Sequence, residues 1–190
     1  MKKLIASLIA MLLLQGGNVF AQTFDLDTKV VAAGIGLGSS LGGFNYSSQI
    51  PGLSIQYEQG MWNAGDVGVI SLGGYAGYKS FSYKTMSGNF EATSRWNYTI
   101  IGVRSAFHYN GIDNDKLDLF AGLMLSYNIL NYSYRDNTGM PNIGGGSYGS
   151  TAGLTLYLGG RYYFSENLGG FAEVGYGVSY LNLGLVFKLR

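Results

Sequence analysis

The stretch Leu117–Leu130, LDLFAGLMLSYNIL, alternates between two kinds of side chain along its whole length. One face carries Leu117, Leu119, Ala121, Leu123, Leu125, Tyr127 and Ile129, and the other carries Asp118, Phe120, Gly122, Met124, Ser126 and Asn128. A period of two places successive side chains on opposite faces of a β-strand. The stretch therefore predicts a strand with one apolar face, longer than the roughly 10 residues that a tilted strand needs to cross a bilayer.

The same alternation recurs along the rest of the chain. It is regular over 101–109, 154–164 and 181–189, and less regular over 30–38, 53–58, 70–79 and 170–176. With 117–130 this makes eight strands, an even number, as a closed antiparallel bacterial barrel requires. The sequence predicts an all-β fold, an eight-stranded antiparallel up-and-down transmembrane β-barrel.

The composition favours a chain that faces something other than water. Charged residues make up only 12% of the sequence, against about 25% in an ordinary soluble domain. No segment after the N-terminus is apolar enough for a spanning helix, so a lipid-facing chain has to close into a barrel. There is no cysteine for a disulfide or a thiolate metal site, and no basic patch that predicts a nucleic-acid partner.

The N-terminus has the features of a cleaved signal peptide. Two lysines precede an apolar run over Leu4–Leu14, and Val19 and Ala21 supply the small residues of a signal-peptidase site at the third and first positions before the cleavage. Eleven residues are too few for a membrane anchor, which needs about 20. We therefore expect cleavage between Ala21 and Gln22. Residues 1–21 are the predicted signal peptide and 22–190 the predicted barrel domain.

The predicted links differ in length at the two ends of the barrel. With the mature N-terminus in the periplasm, the outer links are Gly38–Pro51, Lys84–Ser94, Arg135–Ser150 and a tight turn near Ser179–Tyr180. The inner links are Gly60–Asp66, Asn110–Lys116 and Ser165–Gly169. Long outer loops and short periplasmic turns are typical of outer-membrane barrels, so the sequence predicts export to the outer membrane.

The inward faces of the predicted strands carry a set of charges. They are Glu58, Lys79, Arg104, Asp118, Arg161, Glu173 and Lys188. An eight-stranded barrel has an interior that side chains just fill, and buried charges are tolerated when paired. Turn lengths place Arg161 opposite Glu173 and His108 opposite Asp118. The sequence predicts a structural network that closes the lumen, and a narrow channel for small solutes remains the alternative.

Catalysis and cofactor binding find little support in the residues. His108 is the only histidine, and strand alternation places the nearby Ser105 on the opposite face. We therefore expect no enzyme, with a lipid-modifying enzyme as the weakest alternative. The acids of GIDNDKLD (111–118) lack the glycine and glutamate of a calcium loop. GIGLGSSLGG (34–43) lacks the strand-then-helix context of a phosphate loop, so we predict neither metal nor cofactor.

Five stretches resemble a known family. They are GLSIQYEQG (52–60), GVISLGGYAGYKSFSY (68–83), YTIIGVRSAFHY (98–109), KLDLFAGLMLSYNI (116–129) and GGRYYFSENLGGFAEVGYGVSYLNLGLVFKL (159–189). They are similar to the small porin-like outer-membrane β-barrels of Gram-negative bacteria, of the OmpA/OmpX kind. The resemblance implies surroundings of outer-membrane lipid and lipopolysaccharide, and help from the barrel-assembly machinery and periplasmic chaperones. It implies no particular ligand for the outer loops.

The last strand also resembles the signal that the barrel-assembly machinery reads. Its outward residues are Leu183, Leu185, Phe187 and Leu189. Members of the family prefer an aromatic residue at the very end, whereas here Phe187 is followed by three further residues.

Overall fold

The computed structural model describes residues 24–41, 45–112, 114–138 and 149–189. The predicted signal peptide, with Ala21 and Gln22, lies outside these residues. The strands are β1 Lys29–Leu37, β2 Ser48–Gln49, β3 Gly52–Asn63, β4 Gly68–Ser87, β5 Phe90–Tyr109, β6 Leu117–Asp136, β7 Thr151–Tyr163, β8 Leu168–Tyr176 and β9 Leu181–Leu189, with a short 3-10 turn at Gly65–Val67. No helix in the described ranges has the length and apolar character needed to cross a membrane.

Eight of these strands close on themselves. The order is β4-β3-β1-β9-β8-β7-β6-β5, and β5 pairs with β4 to complete the ring. Every pairing is antiparallel. Strand β2 adds a two-residue ladder to the rim of β4. The predicted eight-stranded antiparallel barrel is therefore confirmed.

The two faces of the wall differ as the alternation predicts. On β6 the side chains of Leu123, Leu125 and Tyr127 are 47%, 62% and 55% exposed, whereas the intervening Met124 and Ser126 are buried. The largest fully buried side chains include Arg104. The wall is thus apolar outside and polar inside, which reverses the arrangement of a soluble domain.

Both ends of the described chain lie at one end of the barrel, where Lys29 of β1 pairs with Leu189 of β9. The links at this end are short and span 64–67, 110–116 and 164–167. The opposite end carries the links over 38–51, 137–150 and 177–180, of which 42–44 and 139–148 fall outside the described residues.

The predicted outer loop over Lys84–Ser94 is wrong. Strands β4 and β5 stay paired up to Ser87 and Phe90, and Gly88 turns the chain with a φ of 58°. Its content of Gly, Asn and Ser predicted a loop, but a β-ladder continues wherever both strands keep their hydrogen bonds. The hairpin therefore stands beyond the apolar part of the wall as a paired extension of β4 and β5.

Glycines make room for large side chains inside the barrel. A Cβ at Gly184 would lie 2.0 Å from the carbonyl oxygen of Ala33 and 2.6 Å from the ring of Phe171. A Cβ at Gly122 would lie 2.6 Å from the hydroxyl of Tyr157. Glycine at such positions lets rings cross the narrow lumen.

Candidate functional site: the luminal charge cluster

Six titratable side chains meet inside the barrel, and we call them the luminal charge cluster. They are Glu58 (β3), Arg104 and His108 (β5), Asp118 (β6), Arg161 (β7) and Glu173 (β8). Each is at most 7% exposed. They converge because each occupies an inward position of its strand, and the lumen of an eight-stranded barrel is about one side-chain layer across.

Arg161 joins two carboxylates at the end of the lumen near the chain termini. Its guanidinium group donates to Glu58, and a second nitrogen donates to Asp118 Oδ2 at 3.1 Å. The ring of Phe120 lies 4.5 Å from the guanidinium carbon, within cation–π range. Arg161 therefore has ionic and aromatic partners on several strands.

Arg104 forms a second centre further along the lumen. Its Nη2 donates to Glu173 Oε1 and its Nη1 donates to Gln56 Oε1, both at 2.5 Å, and the ring of Tyr157 lies 4.3 Å away. The other oxygen of Glu173 accepts from Gln56 at 3.4 Å and from Asn182 at 3.3 Å. Charge-assisted bonds of this kind are stronger than those between neutral groups.

His108 links carboxylates on either side of its ring. Its Nδ1 lies 2.8 Å from Asp118 Oδ1, and its Nε2 lies 3.1 Å from both Glu58 Oε1 and Ser71 Oγ. Ser71 was missed from the sequence, because only the β4–β5 register brings it diagonally next to His108. These contacts outline a serine–histidine–aspartate arrangement. However, the Ser71 hydroxyl donates to Glu58 at 2.5 Å, and Ser71 and His108 are each 0% exposed.

Phe24 covers the cluster at the end where the described chain begins. Its ring stacks on His108 with a centroid distance of 3.7 Å and an interplanar angle of 9°, and it is 1% exposed. The following segment is held by Asp27 N donating to Gly60 O at 3.1 Å and Gly60 N donating to Thr28 O at 3.0 Å. Phe24 lies outside the alternating stretches, so its contact with His108 leaves no pattern in the sequence.

The predicted pairing of Arg161 with Glu173 is wrong. Arg161 lies opposite Phe171 on β8, and Glu173 lies opposite Gly159. The turn between β7 and β8 is two residues tighter than expected, since Phe164 N donates to Leu168 O at 3.1 Å. A register shift of two residues keeps every side chain on its face of the sheet. Arg161 and Glu173 therefore still lie in the lumen, but with other partners.

His108 also has a different direct neighbour from the predicted one. It lies opposite Phe120, and its bond to Asp118 is diagonal. On the other side of β6, Asp118 lies directly opposite Arg161. The β5–β6 link spans 110–116 as predicted, but the register of β5 on β6 is offset by two residues from the expected one.

The two remaining predicted lumen charges lie apart from the cluster. Lys79 donates from Nζ to Gly38 O at 3.0 Å near the far rim. Lys188 Nζ lies 5.3 Å from the ring of Tyr163. The residues proposed as the assembly signal, Leu183, Leu185, Phe187 and Leu189, are exposed on the outward face of β9.

Little free space remains around the cluster. A cavity of about 30 Å³ lies beside Arg104 and Glu173 and is bounded by Tyr75, Tyr157 and Asn182. It has room for a water molecule or two. Within the described residues, no group of three or more histidine, cysteine, aspartate or glutamate side chains is arranged to hold a metal ion.

Two solved structures are similar in fold to the chain. One is Ail, the attachment invasion locus protein of Yersinia pestis, with 10% identity and a TM-score of 0.41 over 85% of this chain and 93% of that chain. The other is Ail in complex with the heparin analogue sucrose octasulfate, with 11% identity and a TM-score of 0.38 over 85% and 94%. No family model and no curated protein matches the chain. The barrel itself is established by the strand pairings described above.

Proposed function

We propose that this protein is an integral β-barrel of the Gram-negative outer membrane with a structural or surface-interacting role, and that the luminal charge cluster closes its lumen. The inside-out distribution of side chains carries the proposal. Five aliphatic residues on the outer wall are each 57–62% exposed, namely Leu53, Ile55, Leu125, Leu156 and Leu158, while charged residues lie in the interior.

This distribution is costly in water and favourable in lipid. Transfer of a fully exposed leucine or isoleucine side chain to an apolar medium is worth about 1.5–3 kcal/mol. Soluble monomers rarely expose a contiguous apolar patch beyond about 300–600 Å², whereas here the apolar face runs around the ring. A bilayer is the environment that such a wall matches.

The two ends of the barrel suggest its orientation. Short turns at the end that carries both chain ends are typical of the periplasmic side. The β4–β5 hairpin and the neighbouring part of β6 would then project from the cell surface. A projection of paired strands supports a role in contacts outside the cell.

A closed lumen favours this role over conduction or catalysis. Arg104 reaches Glu173 and Arg161 reaches Glu58 across the lumen, and the cavity beside Arg104 is too small for a solute path. The hydroxyl of Ser71 is directed to Glu58 and is sealed from solvent. We therefore also propose that the protein is not an enzyme.

Fractionation combined with heat-modifiable migration tests the proposal. The native protein should enter the outer-membrane fraction and migrate differently on a detergent gel before and after boiling, because a closed barrel resists unfolding in detergent. Recovery in the soluble periplasmic fraction, with no shift on boiling, would contradict it.

A further inference from the structure

A cleft with three cations lies on the projecting part of the wall, and we call it the basic cleft. It has a volume of about 230 Å³ and is lined by Lys84 of β4, Thr93 and Arg95 of β5, and Ser133, Tyr134 and Arg135 of β6. Sequence patterns did not reveal it, because the three cations come from three different strands.

The strand register arranges the cations around two hydroxyl groups. Lys84 pairs with Thr93, which pairs with Arg135 on its other side, and in the adjacent row Arg95 pairs with Ser133. Neighbouring strands lie about 4.8 Å apart and alternate residues about 6.6 Å apart. The backbone positions of the three cations are therefore within about 10 Å of one another, close enough to share one anionic group.

The three cations have no acidic partner among the described residues. No ion pair there involves Lys84, Arg95 or Arg135. Glu91 lies two residues from Thr93 towards the hairpin turn, diagonal to Lys84 and Arg135, and forms an ion pair with neither. Clustered like charges repel one another, so binding of an anion would relieve this repulsion.

The cleft also lies on the face that continues the apolar wall. On β6 the outward positions run from Leu125 through Ile129 to Arg135. Six residues separate Ile129 from Arg135, about 20 Å along the strand and about 15 Å along the membrane normal at a tilt of roughly 40°. This places the cleft above the hydrocarbon region but still facing the surrounding leaflet.

We propose that the basic cleft binds a phosphate group on the sugars of lipopolysaccharide in the outer leaflet. The inference rests on the proposed function, since only membrane insertion places lipopolysaccharide beside this face. Arginine forks recognise phosphate through paired N–H donors, Lys84 supplies a third charge, and Thr93 and Ser133 supply hydroxyl donors. A phosphate held in this way would anchor the projecting hairpin to its lipid neighbours.

Binding of bisphosphorylated lipid A to the mature protein in detergent micelles tests the proposal. The variant Arg95→Gln/Arg135→Gln should weaken binding at least about tenfold, because each lost arginine removes charge-assisted bonds to phosphate. The charge-matched control Lys29→Gln/Lys116→Gln, at the other end of the barrel, should change binding by less than about twofold. Binding should also weaken as salt is raised.

Further measurements distinguish the source of the anion. The native protein should bind dephosphorylated lipid A no more tightly than the arginine variant binds bisphosphorylated lipid A. Inorganic phosphate at equal concentration should not displace lipid A from the native protein. Three results would each overturn the proposal. The arginine variant and the lysine control could bind lipid A with equal affinity, or the native protein could bind dephosphorylated lipid A as tightly as the bisphosphorylated form. The native protein could also bind a sulfated heparin fragment more tightly than lipid A. An arginine variant that still fractionates with the outer membrane and shifts on boiling would show that such a failure concerns the cleft and not the barrel.

Discussion

Replacing Arg161 with alanine removes the cation that pairs with Glu58 and Asp118 in the luminal charge cluster. Its guanidinium group donates to Glu58 and Asp118. Arg161→Ala therefore leaves two buried carboxylates without their closest cation, with His108 between them and Arg104 Nε 3.9 Å from Glu58. Breaking a buried ion pair by deleting one partner costs about 3–5 kcal/mol. We expect the free energy of unfolding to fall by about that amount.

Urea unfolding of the protein folded into lipid vesicles measures this loss. The control Arg95→Ala removes the same side chain from the outer cleft and should change the free energy of unfolding by less than about 1 kcal/mol. Adding Glu58→Gln to Arg161→Ala should recover part of the loss, since the second change removes one of the uncompensated charges. Non-additivity of this kind is expected for residues in one network.

Planar-bilayer conductance tests whether Arg161→Ala also opens the lumen to ions. We expect no stable single-channel steps from the native protein, and an ion leak from Arg161→Ala, because the guanidinium group crosses the lumen from β7 to Glu58 on β3. Stable single-channel steps from the native barrel would refute the account of the closed lumen and favour the narrow channel. The same would follow if Arg161→Ala matched the native protein in both free energy of unfolding and ion leak.

Three further predictions concern other parts of the barrel. Phe24→Ala should expose the His108 ring to modification by diethylpyrocarbonate, because Phe24 covers that ring by stacking; equal protection in both proteins would exclude this role. The native protein should not react with a serine-directed fluorophosphonate, since Ser71 is sealed and bonded to Glu58; labelling that Ser71→Ala abolishes would instead establish an enzyme. Leu125→Lys should destabilise the folded barrel in lipid by about 2–4 kcal/mol, whereas Ser133→Lys, on the same face of β6 but beyond the apolar wall, should cost less than about 1 kcal/mol; similar costs would contradict the proposed membrane boundary.

The faces of the strands could be predicted because they depend on local sequence. Alternation along 117–130 specifies which side chains share a face, whatever lies next to the strand. For that reason Asp118, Arg104 and Arg161 were all expected inside the barrel, and all three are buried there.

The partners inside the barrel could not be predicted in the same way. A difference of two residues in the β7–β8 turn preserves every face yet moves Glu173 from Arg161 to Arg104. Ser71 is 37 residues from His108 along the chain, and Phe24 belongs to no strand, so neither contact leaves a local pattern. The extension of β4 and β5 was missed because polar residues in a paired hairpin resemble those of a loop.

Alternation of lipid contact along β6 tests the central claim most directly. The chain has no cysteine, so single cysteines at Leu123, Met124, Leu125, Ser126 and Tyr127 can each carry a fluorescent label without interference. In vesicles that contain nitroxide-labelled lipid, we expect strong quenching at positions 123, 125 and 127 and weak quenching at 124 and 126. Uniform weak quenching, or stronger quenching at the even positions, would contradict an apolar wall that faces lipid around a polar, closed lumen.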